Sequence, residues 1–105
     1  MTYHIDYAYT CHAGKVRPNN EDNFWCCGEH LPVSNHGTEE IRTGIRLRES
    51  LPVMAVFDGM GGEAAGELAS FTAAEKMREL SGQKTFSEES VKELCMDLNR
   101  SVTEA

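Results

Sequence analysis

Val53-Met54-Ala55-Val56-Phe57-Asp58-Gly59-Met60-Gly61-Gly62 is the stretch on which the fold turns. A short apolar run ends in an acid, glycines crowd in behind it, and a helical pattern follows. An apolar run of this length flanked by glycine reads as a buried strand. A carboxylate at the end of such a strand costs several kcal/mol unless a cation or a hydrogen-bond donor compensates it. Asp58 therefore calls for a partner. The glycines leave the main chain unshielded, so a ligand can approach it closely. An acid held at a strand end beside open backbone is what a site requires.

Downstream, Ala65, Ala69, Ala73, Met77 and Leu80 recur at helical spacing, and Leu68 widens the stripe. Ala64, Ala65, Gly66, Ala69 and Ser70 are small, which lets this helix lie close to a sheet. Glu63 and Glu67 sit where the helix dipole favours negative charge, and Ser81-Gly82 ends the helix. A second helix is predicted from Ser87, its N-cap, with Glu88 and Glu89 in the first turn and Phe86 and Val91 placed as a hydrophobic staple. Its expected buried face is Val91, Leu94, Cys95, Leu98 and Val102.

Upstream, residues 3–11 alternate, with Tyr3, Ile5, Tyr7, Tyr9 and Cys11 on one face and His4, Asp6, Ala8 and Thr10 on the other. Period two predicts a strand with one buried face. His4 and His12 are expected to be solvated or structurally paired. Residues 13–20 form a connection, with Gly14 at a bend and Pro18-Asn19-Asn20 as turn chemistry. Residues 21–27 read as a second strand entered through Glu21 and Asp22. Neighbouring strand residues point to opposite faces, so these two acids cannot both point the same way in a regular strand. Residues 29–50 say least. Ile45 and Leu47 alternate with Arg46 and Arg48, which hints at a short strand. The arginines Arg42, Arg46 and Arg48 read as a solvated face or as recognition of an acidic or phosphorylated partner.

The whole is one domain at most, or part of one: 105 residues, 40% hydrophobic and 26% charged. The net charge of −7 argues against nucleic acid as the main partner. No apolar run is long enough to span a membrane, and the amino terminus lacks the marks of a secretion signal. Cys11, Cys26, Cys27 and Cys95 make no CxxC pair or metal-ligand spacing, which fits reduced thiols in a cytoplasmic protein. Cys26 and Cys27 are expected on opposite faces of a strand.

Glu21, Asp22 and Asp58 all fall at strand ends. Two carboxylates about 4 Å apart repel by about 4 kcal/mol at an effective dielectric near 20, so a convergent cluster implies a cation or a proton held at raised pKa. Oxygen-only ligation favours a hard ion, Mg2+ or Mn2+. Arg17 has the planar fork that grips a phosphoryl group. Together these suggest metal-assisted hydrolysis of a phosphate ester. Strand-end acids acting only as turn formers are the plain alternative.

Gly14-x-x-Arg17-x-x-Asn20-Glu21-Asp22, then Val56-Phe57-Asp58-Gly59-Met60-Gly61-Gly62, then Ala65-Gly66-Glu67-x-Ala69-Ser70 resembles, in that order, the amino-terminal half of the metal-dependent protein phosphatases (the PPM, or protein phosphatase 2C, family), in a bacterial-like form. The likeness covers residues 3 to about 80. It implies an α+β fold, part of a four-layer α-β-β-α sandwich of antiparallel sheets flanked by helices, with residues 1–105 as the amino-terminal portion of one domain. It implies two Mn2+ or Mg2+ ions in the complete domain. Asp58 would bridge them, the Gly59 carbonyl and Glu21 would ligate, Asp22 would hold metal-bound water, and Arg17 would bind the substrate phosphate. Arg17, Asp22 and Asp58 are thus the expected catalytic residues, and phosphoserine and phosphothreonine proteins of signalling the expected substrates.

Two departures follow. Met60 stands where eukaryotic members carry a candidate acid, His, and a thioether donates no proton. The family's remaining metal-binding aspartates lie in its second half. The expectation is weak metal binding and little or no activity from these residues alone, with need of the missing carboxyl-terminal half or of self-association to cover an apolar face that includes Tyr3, Tyr7, Tyr9 and Trp25. A non-catalytic, truncated phosphatase-like binding or regulatory module is the alternative. A dinucleotide-binding turn at Gly59-Met60-Gly61-Gly62-Glu63-Ala64 is disfavoured, because Asp58 and Glu63 would repel a pyrophosphate and no second parallel strand follows the helix.

Overall fold

Tyr7 and Tyr9 stack 6.1 Å apart on one strand, and Tyr9 tilts onto Phe24 of another at 5.0 Å; this aromatic contact joins two small sheets. The computed structural model describes residues 4–47, 53–59, 64–80 and 87–104. Strand β1 (His4–Tyr9) pairs antiparallel with β3 (Arg42–Leu47), and β2 (Asn23–Cys26) pairs antiparallel with β4 (Met54–Phe57). Helices α1 (Ala64–Leu80) and α2 (Glu88–Glu104) follow. The fold is α+β. Phe24 and Cys26 pack with Leu31 against Tyr7, Tyr9, Cys11 and Cys27. From the opposite side of the same strand, Trp25 packs with Met77 and Leu94 against Ala55, Phe57 and Leu98. Strand β2 is therefore buried throughout, with a sheet on one side and helices on the other. That alternation comes straight from the pleat. Trp25 is thus covered by the helices and is not part of an open apolar face, a correction to its expected place.

Strand β4 departs from the buried strand expected of its apolar run. Met54 and Val56 are exposed, Val56 by 83%. The β1–β3 sheet covers Phe24, but the cross-strand partner of Phe24 is Val56, which lies beyond the reach of that cover. Strand β3 turns arginines toward the aromatic face. Its register places Arg46 opposite Ile5 and Arg42 opposite Tyr9, on the half-buried aromatic face, while Ile45 lies opposite Asp6 and is exposed. Gly44 stands opposite Tyr7, and a Cβ there would overlap the tyrosine ring.

The helices form where their spacing predicts, and Ala73, Met77, Leu80, Leu94 and Leu98 pack inward as expected, while the rest of each expected face is shifted. In α1 the covered residues are Gly66, Ser70, Ala73, Ala74 and Met77, while Ala65 and Leu68 are exposed. The small residues are pressed inward because the backbone of β2 passes there: the Ser70 hydroxyl donates to the Glu21 carbonyl at 2.7 Å. In α2, Leu94 is buried, whereas Val91 and Cys95 are exposed. Its start is capped as predicted. Ser90 N–H donates to Ser87 Oγ at 3.1 Å and Ser87 N–H to Ser90 Oγ at 2.8 Å, a reciprocal box closed by serine in place of an acid.

Cys26 and Cys27 do not alternate across a strand. Cys27 has a φ of 50° and Gly28 one of 90°, the pair of positive values that a two-residue I′ turn requires. Cys26 and Glu29 exchange backbone hydrogen bonds at 3.0 Å across it, and both cysteines pack into the same cluster. Tyr3, Arg48, Met60, Gly61, Gly62, Glu63, Ser81, Gly82 and Phe86, for which roles were expected, lie outside the described residues.

Candidate functional site

The β2–β4 ladder runs from Cys26–Met54 to Asn23–Phe57. Continued by one step it brings Asp22 opposite Asp58, and by two, Glu21 opposite Gly59. Asp22 leaves the ladder under local control. The buried side chain of Asn20 accepts from Asp22 N–H at 3.2 Å and donates to the Asp22 carbonyl at 2.8 Å and to Asn35 Oδ1 at 2.9 Å. One residue on, buried Asn23 clamps the hairpin arm, donating to the Leu31 carbonyl at 2.8 Å and accepting from Leu31 N–H at 2.9 Å. Asn20 was legible only as a turn former, and Asn23 only as a strand residue. The signal for both was asparagine beside acids at a strand entrance.

At the far side of the ladder, Gly59 is buried and donates its N–H to Asp22 Oδ1 at 3.2 Å. A Cβ at this position would run into the carbonyl oxygens of Glu21 and Gly66. The glycine is needed for close approach: the end of β4 threads between the entrance to β2 and the first turn of α1. Asn19 fastens the same corner by donating to Glu67 at 3.1 Å.

The acids do not share one environment. The carboxyl of Asp22 is held above its ordinary value, first by burial, then by a hydrogen bond to Asp58 and by repulsion from its charge; the Gly59 N–H and the Arg17 charge oppose this. Asp58 itself is exposed. Glu21 goes elsewhere. Its carboxylate accepts from Arg17 Nη1 at 3.1 Å, and its carbonyl is bound by Ser70. Glu21 and Asp22 go in different directions as expected, although both precede β2, where Asn20 and Ser70 hold their backbone. The structure brings Asp22, Asp58 and Gly59 together and engages Glu21 with Arg17. Among the described residues, no group of three or more His, Cys, Asp or Glu side chains is gathered closely enough to hold a metal ion.

Other expected features have local accounts. His4 Nε2 lies 2.9 Å from Asp6, and His12 Nδ1 accepts from Gly14 N–H, so both histidines are structurally paired. Cys11, Cys26, Cys27 and Cys95 are free thiols. No described helix is long and apolar enough to cross a membrane.

Comparison with protein-family models, with curated proteins and with solved structures gave no match.

Proposed function

We propose that the Asp22–Asp58 corner is the acidic half of a metal-dependent phosphate-monoester hydrolase site, of the protein serine/threonine phosphatase kind. The observation that carries this reading is the cross-strand meeting of the two carboxylates beside the Gly59 backbone, with the Asp22 carboxyl raised by burial and by its neighbour. Two facing carboxylates repel, and a hard divalent cation relieves that repulsion with the oxygen donors such ions prefer.

The donor set fits in part. Asp22 and Asp58 would hold Mn2+ or Mg2+, with the Gly59 carbonyl as a further oxygen and Glu21 as a ligand once released by Arg17. When bound, the ions would supply a water of lowered pKa for attack on phosphorus. The chain's own residues do the rest. Gly59 N–H orients the Asp22 carboxylate. Asn20 and Ser70 fix the backbone on either side of Asp22. Arg17, on the exposed rim with its remaining N–H donors, would take the phosphate of a phosphoserine or phosphothreonine side chain. Two carboxylates fall short of the six oxygens an octahedral ion wants, so weak metal binding and slight turnover are expected until a partner segment or a second copy completes the set. The free thiols support a cytoplasmic setting.

The Arg17–Glu21 pair favours a second reading, a phosphatase-like binding module without turnover, because it occupies both a phosphate-binding group and a ligand. Paramagnetic broadening by Mn2+ tests the first point. It should centre on the amides of Asp22, Asp58 and Gly59 and disappear in Asp58→Asn; broadening elsewhere, or none, overturns the proposal. Phosphate release from a phosphothreonine peptide with Mn2+ then separates the readings. Slight turnover lost in Asp58→Asn supports the enzyme, and metal binding with no turnover supports the module.

A further inference from the structure

A second polar site lies at the other end of the same elements. Glu67 is fastened to Asn19 at the acidic corner, and Arg78 comes eleven residues later in α1, about 16 Å along the helix axis at 1.5 Å per residue. There, a cleft of about 450 Å³ opens between the hairpin turn, β3 and α1, lined by Gly28, Glu29, His30, Arg42 and Arg78. In a chain of net charge −7, two guanidiniums face this one cleft, with the carboxylate of Glu29 on its wall and that of Glu75 beside His30.

The nearby acids are already engaged. Glu29 accepts from Arg42 at 3.0 Å and from the Tyr9 hydroxyl. Glu75 lies 2.6 Å from His30 Nε2. Its distance to Arg78 is 3.8 Å, beyond hydrogen-bonding length. Arg78 touches the imidazole at 3.3 Å and is otherwise 62% exposed, which leaves most of its five N–H donors open to the cleft. The floor is rigid. The His30 ring stacks on Trp25 at 6.2 Å, meets Phe71 edge-on at 5.6 Å, and holds the Leu31 carbonyl with Nδ1 at 2.9 Å. Arg42 is held by Glu29, which the Tyr9 hydroxyl also binds. Two guanidiniums on different walls of one cleft, Arg42 held by Glu29 and Arg78 largely exposed, suit a tetrahedral oxyanion, because each can give N–H groups to different phosphate oxygens.

We propose that the cleft between Arg42 and Arg78 binds a phosphate group, carried on a small molecule or on a phosphorylated peptide. The site is separate from the Asp22–Asp58 corner and independent of the function proposed for it. Its place at the far end of α1 makes it an anchoring or effector site.

The test is a titration of the isotope-labelled chain with inorganic phosphate at constant ionic strength, followed by amide and arginine Nε–H shifts. Saturable shifts at Gly28, His30 and Arg78 in the low-millimolar range are expected. Arg78→Gln and, separately, Arg42→Gln should each weaken them by about tenfold, the loss of one good charge-assisted contact, while Asp58→Asn leaves them unchanged. Spectral dispersion reports in the same experiment that each variant is folded. A phosphothreonine peptide that binds at least tenfold more tightly than its unphosphorylated form and than free phosphate assigns the source to a phosphoprotein; equal binding of peptide and free phosphate assigns it to a small phosphate. Shifts that stay linear, that survive both arginine substitutions, or that centre on Arg17 would overturn the proposal.

Discussion

Asp22 and Asp58 face each other one rung beyond the last pair of the β2–β4 ladder, joined through the Gly59 N–H that binds Asp22. Their meeting extends the register, in which Asn23 pairs with Phe57, while Asn20 holds the Asp22 backbone just beyond the last rung. Two like-charged groups set together at a strand end is an arrangement that folding by itself does not favour. Its cost shows in the Asp22 carboxyl, which burial and the Asp58 charge push upward.

That cost gives a pH-dependent stability. The ordinary aspartate value is 3.8, and the folded value lies above it. Between the two, the folded chain retains a proton that the unfolded chain has lost. Stability from this group is therefore present below 3.8 and lost as pH rises through the folded value. Asp22→Asn keeps the amide oxygen for Gly59 N–H and removes the titration. In chelator-treated buffer the variant should be more stable than the parent at pH 7 by about 1 kcal/mol, the solvent-screened end of the Coulomb scale at contact distance. The gain should vanish well below pH 3.8. Thermal melts at both pH values check this; an equal shift at each would show that the carboxylate pair is not its source.

Gly59 offers a second check, on geometry and not on charge. Its conformation is open to any residue, but both atoms that a Cβ would strike, the Glu21 and Gly66 carbonyl oxygens, are backbone and cannot swing aside. Gly59→Ala should cost about 1–3 kcal/mol in urea unfolding, as overpacked sites do. It should also shift the Asp22 amide and side-chain carbon resonances. A neutral substitution would mean that the strand end and the helix start are further apart than described.

What the sequence disclosed and what it hid divide along a physical line. Alternation and helical spacing expose elements, because they are local. Strands β1 and β2, both helices and the Ser87 cap were readable on that ground. So was the opposite steering of Glu21 and Asp22. Which face of an element is covered depends on neighbours distant in sequence. The alternation of Ile45 with Arg46 gave a strand but not its facing: Ile45 stands outside, since the aromatic face of β1 takes Arg42 and Arg46 across the register. The Cys26-Cys27 pair read as strand because nothing local announces a cysteine at positive φ; the glycine after it was the clue. Arg42 could be read as a group for an acidic or phosphorylated partner, but its pairing with Arg78 could not, because the walls of the cleft come from three segments distant in sequence.

Val56 carries the third prediction. It is 83% exposed on a short strand paired on one side only among the described residues, the combination that invites edge-to-edge pairing. Val56→Lys should leave the unfolding midpoint nearly unchanged, since the side chain gains little from burial here. It should reduce self-association in sedimentation velocity runs at raised protein concentration. Association of parent and variant to the same extent would place the sticky surface elsewhere, with the exposed Ile41 and Ile45 next in line.

The rotated stripe of α1 can be tested by a pair of truncations of similar size. On spacing alone, Leu68 and Met77 belong to the same apolar face and should matter alike. In the fold, Met77 is 1% exposed and locked between Trp25 and Leu94, while Leu68 is exposed. Removing a buried methionine side chain forfeits its transfer free energy and leaves a cavity, so Met77→Ala should cost about 2–5 kcal/mol. Leu68→Ala loses little contact and gains slightly in helix propensity, so its effect should stay within about 0.5 kcal/mol. Chemical unfolding of both variants, read by the fluorescence of Trp25, decides the matter: the Met77 change should also alter the native emission, since its thioether packs on the indole side of β2. Equal losses at the two sites would restore the stripe drawn from spacing and remove the reason for pressing Gly66 and Ser70 against the Glu21 backbone, on which the placement of the acidic corner depends.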